Sequence, residues 1–196
     1  MKKLSLKFIA VMNKVTALIF CIFLAFFAFS MVFGWVERYY LYPIKHKEIV
    51  YECADYYSLD RALVFSIINV ESSFDNKAVS SAGAVGLMQI TPRTAEYIAK
   101  LLRVTEYDLT DEYTNVWFGC FYIKYLLAKF ENVQTALCAY NAGEGNVIVW
   151  LTDKEYSVDG VTLKVIPYVE TRQYAQKIQK TYKKYIALYP NILDKR

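Results

Sequence analysis

Glu71-Ser72-Ser73-Phe74, followed by Gly83-Ala84-Val85-Gly86-Leu87-Met88-Gln89, is the stretch on which the reading of this 196-residue chain turns. Upstream, Leu63, Val64, Ile67, Ile68 and Val70 recur at helical spacing, so Arg61–Ser73 reads as a helix with Asp60 as its N-cap. Glu71 then falls at the helix C-terminus, where the macrodipole disfavours a carboxylate charge. Ile67 and Ile68, one turn back, place it at the border of the apolar face. Partial burial there raises a carboxyl pKa, as a general acid near neutral pH requires. A helical glutamate is ordinarily a solvated surface residue. Here the chain leaves the helix for a Gly- and Ser-rich excursion, where small side chains let a substrate lie close to the backbone. It returns at Gln89, an amide able both to donate and to accept hydrogen bonds.

The rest of the chain beyond about residue 45 also reads as helices. One covers His46–Tyr57, and Asp75–Gly86 is loop. Thr91-Pro92 opens another helix as N-cap and first helical residue. Asp108–Thr110 offers caps for a long helix running through Phe130, with Val116, Cys120, Ile123 and Leu127 on one stripe. Asn132 caps a helix ending at Gly143, expected in the left-handed conformation, and Gly145–Leu151 is short and helical. Val158-Asp159-Gly160-Val161, inside Ser157–Val165, is a hairpin turn signal, and a final helix runs from Pro167 to about Leu188. The expected class is mainly α with one small β-hairpin.

Residues 15–36 read VTALIFCIFLAFFAFSMVFGWV, uncharged and long enough to cross a bilayer as one helix. A cleavable signal peptide is the rival, since Ala28-Phe29-Ser30 loosely fits a small-x-small cleavage site. The apolar run continues past it to Val36, which favours an uncleaved anchor. Phe20 before Cys21 argues against lipoprotein processing. Lys2, Lys3, Lys7 and Lys14 precede the span, so the N-terminus is expected in the cytoplasm and the rest outside. Removing those four from the 23 basic residues leaves 19, equal to the 19 acidic ones. The exported part is formally neutral and gives no argument for nucleic-acid binding. The expected organisation is a basic tail (1–14), an anchor in the lipid bilayer (15–36), an aromatic linker (37–45) and a folded domain (46–190). Cys53, Cys120 and Cys138 have no metal-ligand spacing; Cys120 and Cys138 read as small buried hydrophobes.

Four blocks of the chain resemble the soluble lytic transglycosylase (SLT) family, whose fold is lysozyme-like. They are Glu71-Ser72-x-Phe74 through Ala78 and Ser80 to Gln89 and Pro92-x-Thr94-Ala95; Asn115 and Gly119 ahead of Tyr125-Leu126; Ala139-Tyr140-Asn141-Ala142-Gly143; and Ile166-Pro167-Tyr168-x-Glu170-Thr171-Arg172-x-Tyr174. The resemblance spans about residues 50–185 and implies Glu71 as sole catalytic acid and base. It implies that Ser80, Met88, Gln89, Tyr140 and Asn141 hold the glycan strand of peptidoglycan, and that the Tyr174 hydroxyl approaches Glu71. No cofactor or metal is expected. Met88 reads equally as core, and Glu170 with Arg172 as a structural pair. Asn76, Cys138 and Ala175 depart from residues common in the family.

Most glycosidases pair two carboxylates. Here the nearest second carboxylate in sequence is Asp75, just past the helix. The resemblance therefore implies a water-free route that closes a 1,6-anhydromuramoyl ring. Two rivals stand: a goose-type-lysozyme-like hydrolase on the same fold, and a catalytically idle wall-binding component of an envelope-spanning machine. The intact glutamate and cleft blocks argue against the second.

Overall fold

The computed structural model describes residues 2–193, with side chains described at residue 8 and from 11 to 191. Met1 and the Lys2, Lys3 and Lys7 side chains of the expected basic tail thus lie outside the described residues. The chain forms two compact units, Met1–Pro43 and Ile44–Arg196.

The first unit is helix α1 (Lys2–Val36), continued by a π-helical turn at Glu37–Leu41. Large apolar side chains from Phe8 to Phe33 stand exposed around it. Val11–Leu41 is long and apolar enough to cross a membrane. Thr16 and Ser30 donate their hydroxyls to the carbonyls of Met12 and Phe26 (2.8 and 2.9 Å), so these polar groups are satisfied within the helix. Trp35 packs on Tyr39 and Tyr40, with ring centroids 5.2 and 5.5 Å apart.

The second unit contains α2 (Lys47–Tyr56), α3 (Arg61–Ser72), α4 (Pro92–Leu102), α5 (Glu112–Phe130), α6 (Val133–Ala142), α7 (Glu144–Thr152), α8 (Val169–Leu188) and a 3-10 turn at Pro190–Leu193. Helix α3 lies at the centre. Residues Arg61 to Ile68 are all buried, and α3 packs on α2 and α8, while α6 packs on α5, α7 and α8. Its start is fixed twice: Asp60 accepts from the Ala62 N–H at 2.8 Å and from the Tyr182 hydroxyl of α8 at 2.6 Å. The buried Arg61 guanidinium is forked onto Asp55 (2.9 and 2.5 Å) and covers the Tyr51 ring. Cys53, Cys120 and Cys138 are buried free thiols, and burial pushes Cys53 and Cys138 up to about 12.

Three local expectations are corrected. Helix α5 is capped by Asp111, which accepts the Thr114 N–H at 2.8 Å; the Asp108 carboxylate is occupied by the N–H and hydroxyl of Thr110. Gly143 has φ 88° and ψ 141°, an extended positive-φ conformation rather than the left-handed helical one. At Ser157–Val165 the chain turns as expected, but no strand ladder forms. Asp159 Oδ1 accepts the N–H groups of both Val161 and Thr162 (2.9 and 2.7 Å), and the Tyr156 carbonyl accepts those of Lys164 and Val165 (2.9 and 3.3 Å), so the turn closes on one side chain and one carbonyl without a strand ladder.

Candidate active site

The site is assembled where α3 ends. Ser73 and Phe74 both take positive φ (52° and 65°), which turns the chain sharply out of the helix just after Glu71. Phe74 is buried against Phe65 and anchors that turn. The segment from Asp75 to Thr91 is a tight structure built on two isolated bridges, Val79 with Val85 and Val85 with Ile90. Ser72 ties it back to α3 by donating to the Leu87 carbonyl at 2.9 Å.

Asn115, buried on α5, is the main brace of this segment. Its Oδ1 accepts the Met88 N–H at 2.8 Å, and its Nδ2 donates to the carbonyls of Val85 and Leu109 at 2.9 and 3.0 Å. Gly86 and Gly119 make the approach possible. A Cβ at Gly86 would lie 2.4 Å from Asn115 Nδ2, and one at Gly119 would lie 2.3 Å from Met88 Sδ. The Met88 side chain therefore fills the notch that Gly119 leaves in α5 and is fully buried. That corrects the expectation that Met88 lines the cleft. What Met88 contributes is its carbonyl, which accepts the Tyr140 hydroxyl at 2.8 Å.

The other expected residues converge. A cleft of about 230 Å³ is lined by Glu71, Ser80, Gln89, Tyr140 and Asn141 together. Ser80 Oγ accepts the Ala84 N–H at 3.0 Å, and Gln89 Nε2 donates to the carbonyls of Ala78 and Gly86, so both side chains are held by the loop they serve. Asn141 Oδ1 accepts the Thr171 hydroxyl at 2.7 Å, which ties α6 to α8. From α8, the Tyr174 hydroxyl donates to Glu71 Oε1 at 2.7 Å.

The electrostatics separate these groups. Burial pushes the Glu71 carboxyl up to about 7, against the opposing pull of the Tyr174 hydrogen bond and the Lys177 charge. Burial, aided by the nearby Glu71, holds the Tyr140 and Tyr174 hydroxyls well above the usual phenol range, so both remain donors. A carboxyl that is protonated near neutrality and aimed into an open cleft can deliver a proton to a bound substrate and take one back.

Sequence reasoning missed Glu170, Thr94 and Tyr122 as cleft-lining residues. Glu170 stands exposed in the first turn of α8 and brings a second carboxylate to the cleft. The expected pairing with Arg172 does not form among the described residues; Arg172 lines a different cavity. Asp75 is not in the cleft; its Oδ1 accepts the Lys77 N–H at 2.9 Å. Glu170 had a legible signal, since it lies four residues before Tyr174 and so shares its helix face.

Known proteins resemble the chain over its second unit. Residues 48–170 match the family described as the Transglycosylase SLT domain. The chain is 31% identical over 143 residues to the soluble lytic murein transglycosylase of Salmonella typhimurium, covering 70% of this chain and 22% of that protein. It is 30% identical over 166 residues to membrane-bound lytic murein transglycosylase C of Mannheimia succiniciproducens, covering 72% and 46%. An inactive mutant of lytic transglycosylase Slt from Pseudomonas aeruginosa superposes with a TM-score of 0.64 at 28% identity, over 79% of this chain and 26% of that one. The matched part is thus about a quarter of the length of the soluble relatives. The chain belongs to the transglycosylase SLT family.

Proposed function

We propose that this SLT-family member is a membrane-anchored peptidoglycan lytic transglycosylase that cuts the β-1,4 bond between N-acetylmuramic acid and N-acetylglucosamine. The observation that carries this reading is a half-buried carboxyl, Glu71, raised to about 7 by desolvation and accepting the Tyr174 hydroxyl at the wall of the cleft. Glu71 gives its proton to the glycosidic oxygen as the bond to the muramoyl C1 breaks. The neighbouring N-acetyl carbonyl oxygen stabilises the cationic C1. The Glu71 carboxylate then takes the proton of the muramoyl C6 hydroxyl as that oxygen bonds to C1. Glu71 ends protonated, a 1,6-anhydro ring is closed, and no water is consumed.

Supporting roles follow from position. Ser80, Gln89, Tyr140 and Asn141 are the substrate-binding residues, and Met88 acts through its carbonyl by fixing Tyr140. Tyr174 orients the acid. Residues 15–36 are the bilayer anchor, 1–14 a cytoplasmic tail and 37–45 a linker, with the catalytic domain (46–190) facing the wall on the extracytoplasmic side. One observation favours a second reading. The Glu170 carboxylate in the same cleft is the kind of group that activates water in a hydrolase. Mass spectrometry of digested sacculi separates the two. Anhydro-muramoyl ends are expected; reducing muramic acid ends that disappear in Glu170→Gln establish hydrolysis instead.

A further inference from the structure

Away from the cleft, α8 borders a second concave surface. Arg172, Gln176, Gln179 and Lys183 recur at helical spacing and form one exposed stripe. Tyr174, two residues from both Arg172 and Gln176, projects from the opposite side of the helix, towards Glu71. Two hollows lie along the stripe and share Gln179. The first, of about 370 Å³, is polar: Lys164 and Arg172 line it with the amides of Gln134 and Gln176. The second, of about 310 Å³, is lined by Leu63, Val133, Leu137, Ile178 and Tyr182. None of these residues belongs to the catalytic cleft.

The charge of this groove is one-sided. Lys164, Arg172 and Lys183, which line it, form no ion pair among the described residues. Asp60, the acid among the lining residues, already accepts the Ala62 N–H and the Tyr182 hydroxyl. Along α8, Arg172, Lys177, Lys180, Lys183 and Lys184 face a single acid, Glu170, which lines the cleft instead. An occupant that matches the groove is therefore anionic at one end and apolar at the other. Gln179 decides between the two kinds of molecule that fit this description. It sets an amide at the junction of the hollows, where an acyl chain offers no partner and a peptide main chain offers both N–H and C=O.

We propose that this groove docks an acidic, extended segment of a protein partner, with carboxylates on Lys164 and Arg172 and an aliphatic or aromatic side chain among Leu63, Leu137 and Ile178. Arg172 precedes Ile178 by six residues and Tyr182 by ten, a rise of about 9–15 Å. In an extended peptide the acid and the apolar anchor are then about three to five residues apart. Docking here leaves the cleft open.

The full chain, held in nanodiscs of phosphatidylcholine, is panned against a phage library of short random peptides, and the selected peptides are titrated by fluorescence anisotropy. Sequences that combine acidic residues with an apolar one at that spacing are expected. The double variant Lys164→Gln, Arg172→Gln should weaken their binding about fivefold, and high salt should do the same. Val133→Arg, at an exposed position of the apolar hollow, should weaken it about tenfold by excluding the anchor. Lys124→Gln, exposed on α5 and outside the groove, should leave it unchanged. Each variant is checked for the parent's melting temperature, and either groove variant that folds decides the matter. No enrichment of acidic peptides, or selected peptides indifferent to the groove substitutions, overturns the proposal. So does dihexanoyl phosphatidylglycerol, added as a soluble monomer, if it binds more tightly than any selected peptide and with the same dependence on Arg172 and Val133; the groove is then a lipid site. Peptide binding is read without turnover, so the result is independent of the peptidoglycan reading.

Discussion

At the scale of a residue, everything turns on one proton. Glu71 goes from an ordinary 4.5 to about 7 in the fold because burial penalises its charge more than Tyr174 and Lys177 favour it. Between those values the folded chain keeps a proton that the unfolded chain has released. Stability therefore falls as pH rises through this window and stays lower above it, by about 3 kcal/mol in total. Glu71→Gln removes the buried charge and keeps an oxygen for Tyr174. The variant is expected to melt higher than the parent at about pH 8, by ~2–4 °C per kcal/mol for a chain of this size, and at the same temperature near pH 4. Calorimetry at the two pH values checks this; parallel melting temperatures at both would show that Glu71 is ionised like any surface carboxylate. Under the proposed function, activity should follow the same proton. Cleavage should decline above about pH 7 as the acid form is lost. Tyr174→Phe should move that alkaline limb to higher pH, because the lost hydrogen bond was favouring the carboxylate. A lower rate with an unshifted limb would mean that Tyr174 only packs.

At the scale of elements, the site depends on how the segment after α3 is fastened to α5. Asn115→Ala leaves the Met88 N–H and the carbonyls of Val85 and Leu109 without their partner in a buried setting. A loss of ~3–4 kcal/mol is expected in denaturant unfolding, with the slope unchanged. Gly119→Ala sets a methyl 2.8 Å from the Met88 Cβ, an atom that cannot swing aside. It should cost ~1–3 kcal/mol and lower activity through the Tyr140 anchor. These fastenings mark the limit of what the sequence discloses. Asp60, Thr91 and Asn132 were legible as caps because a short polar side chain beside an apolar run has one common use, and each accepts a backbone N–H in the structure. Asp108 and Asp111 are chemically equivalent candidates, and only the register of α5 chooses between them. Helices α6 and α8 reach the site through contacts more than fifty residues apart, Tyr140 with Met88 and Tyr174 with Glu71, which no local periodicity encodes. Met88 was ambiguous for the same reason: its partner is a missing side chain on another helix. A glycine inside a helix, costly by about 1 kcal/mol, was the available hint that something packs close there. Asn76, a departure from the family's common proline, donates to Glu112 at 2.5 Å, so the loop gains a tie to α5 where it lacks a rigid ring.

At the scale of the whole molecule, the question is what the apolar helix does for the folded unit. The two units are separately compact, and the second begins at Ile44. Its N-terminal edge is fastened from within: His46 Nδ1 lies 2.8 Å from Glu112 Oε2, at the start of α5. The hydrogen bonds of Tyr174 with Glu71, Tyr140 with Met88 and Thr171 with Asn141 are all made within this unit. A chain starting at Ile44 should therefore melt at the temperature of the full chain's folded domain and cut isolated sacculi in solution at a similar rate. The helix should matter for place. A span of this length inserts by burying apolar surface, and salt does not release it. As the proposed anchor it would keep the folded unit near the membrane, where local concentration is set by tether length and not by expression level. The full chain should accordingly stay with the membrane fraction in high salt and cut wall material held near that surface, whereas the chain from Ile44 should partition to the supernatant. Recovery of the full-length product in the supernatant, or of a mature chain beginning near Met31, would identify residues 15–36 as a leader and remove the tether, while leaving the chemistry assigned to Glu71 intact.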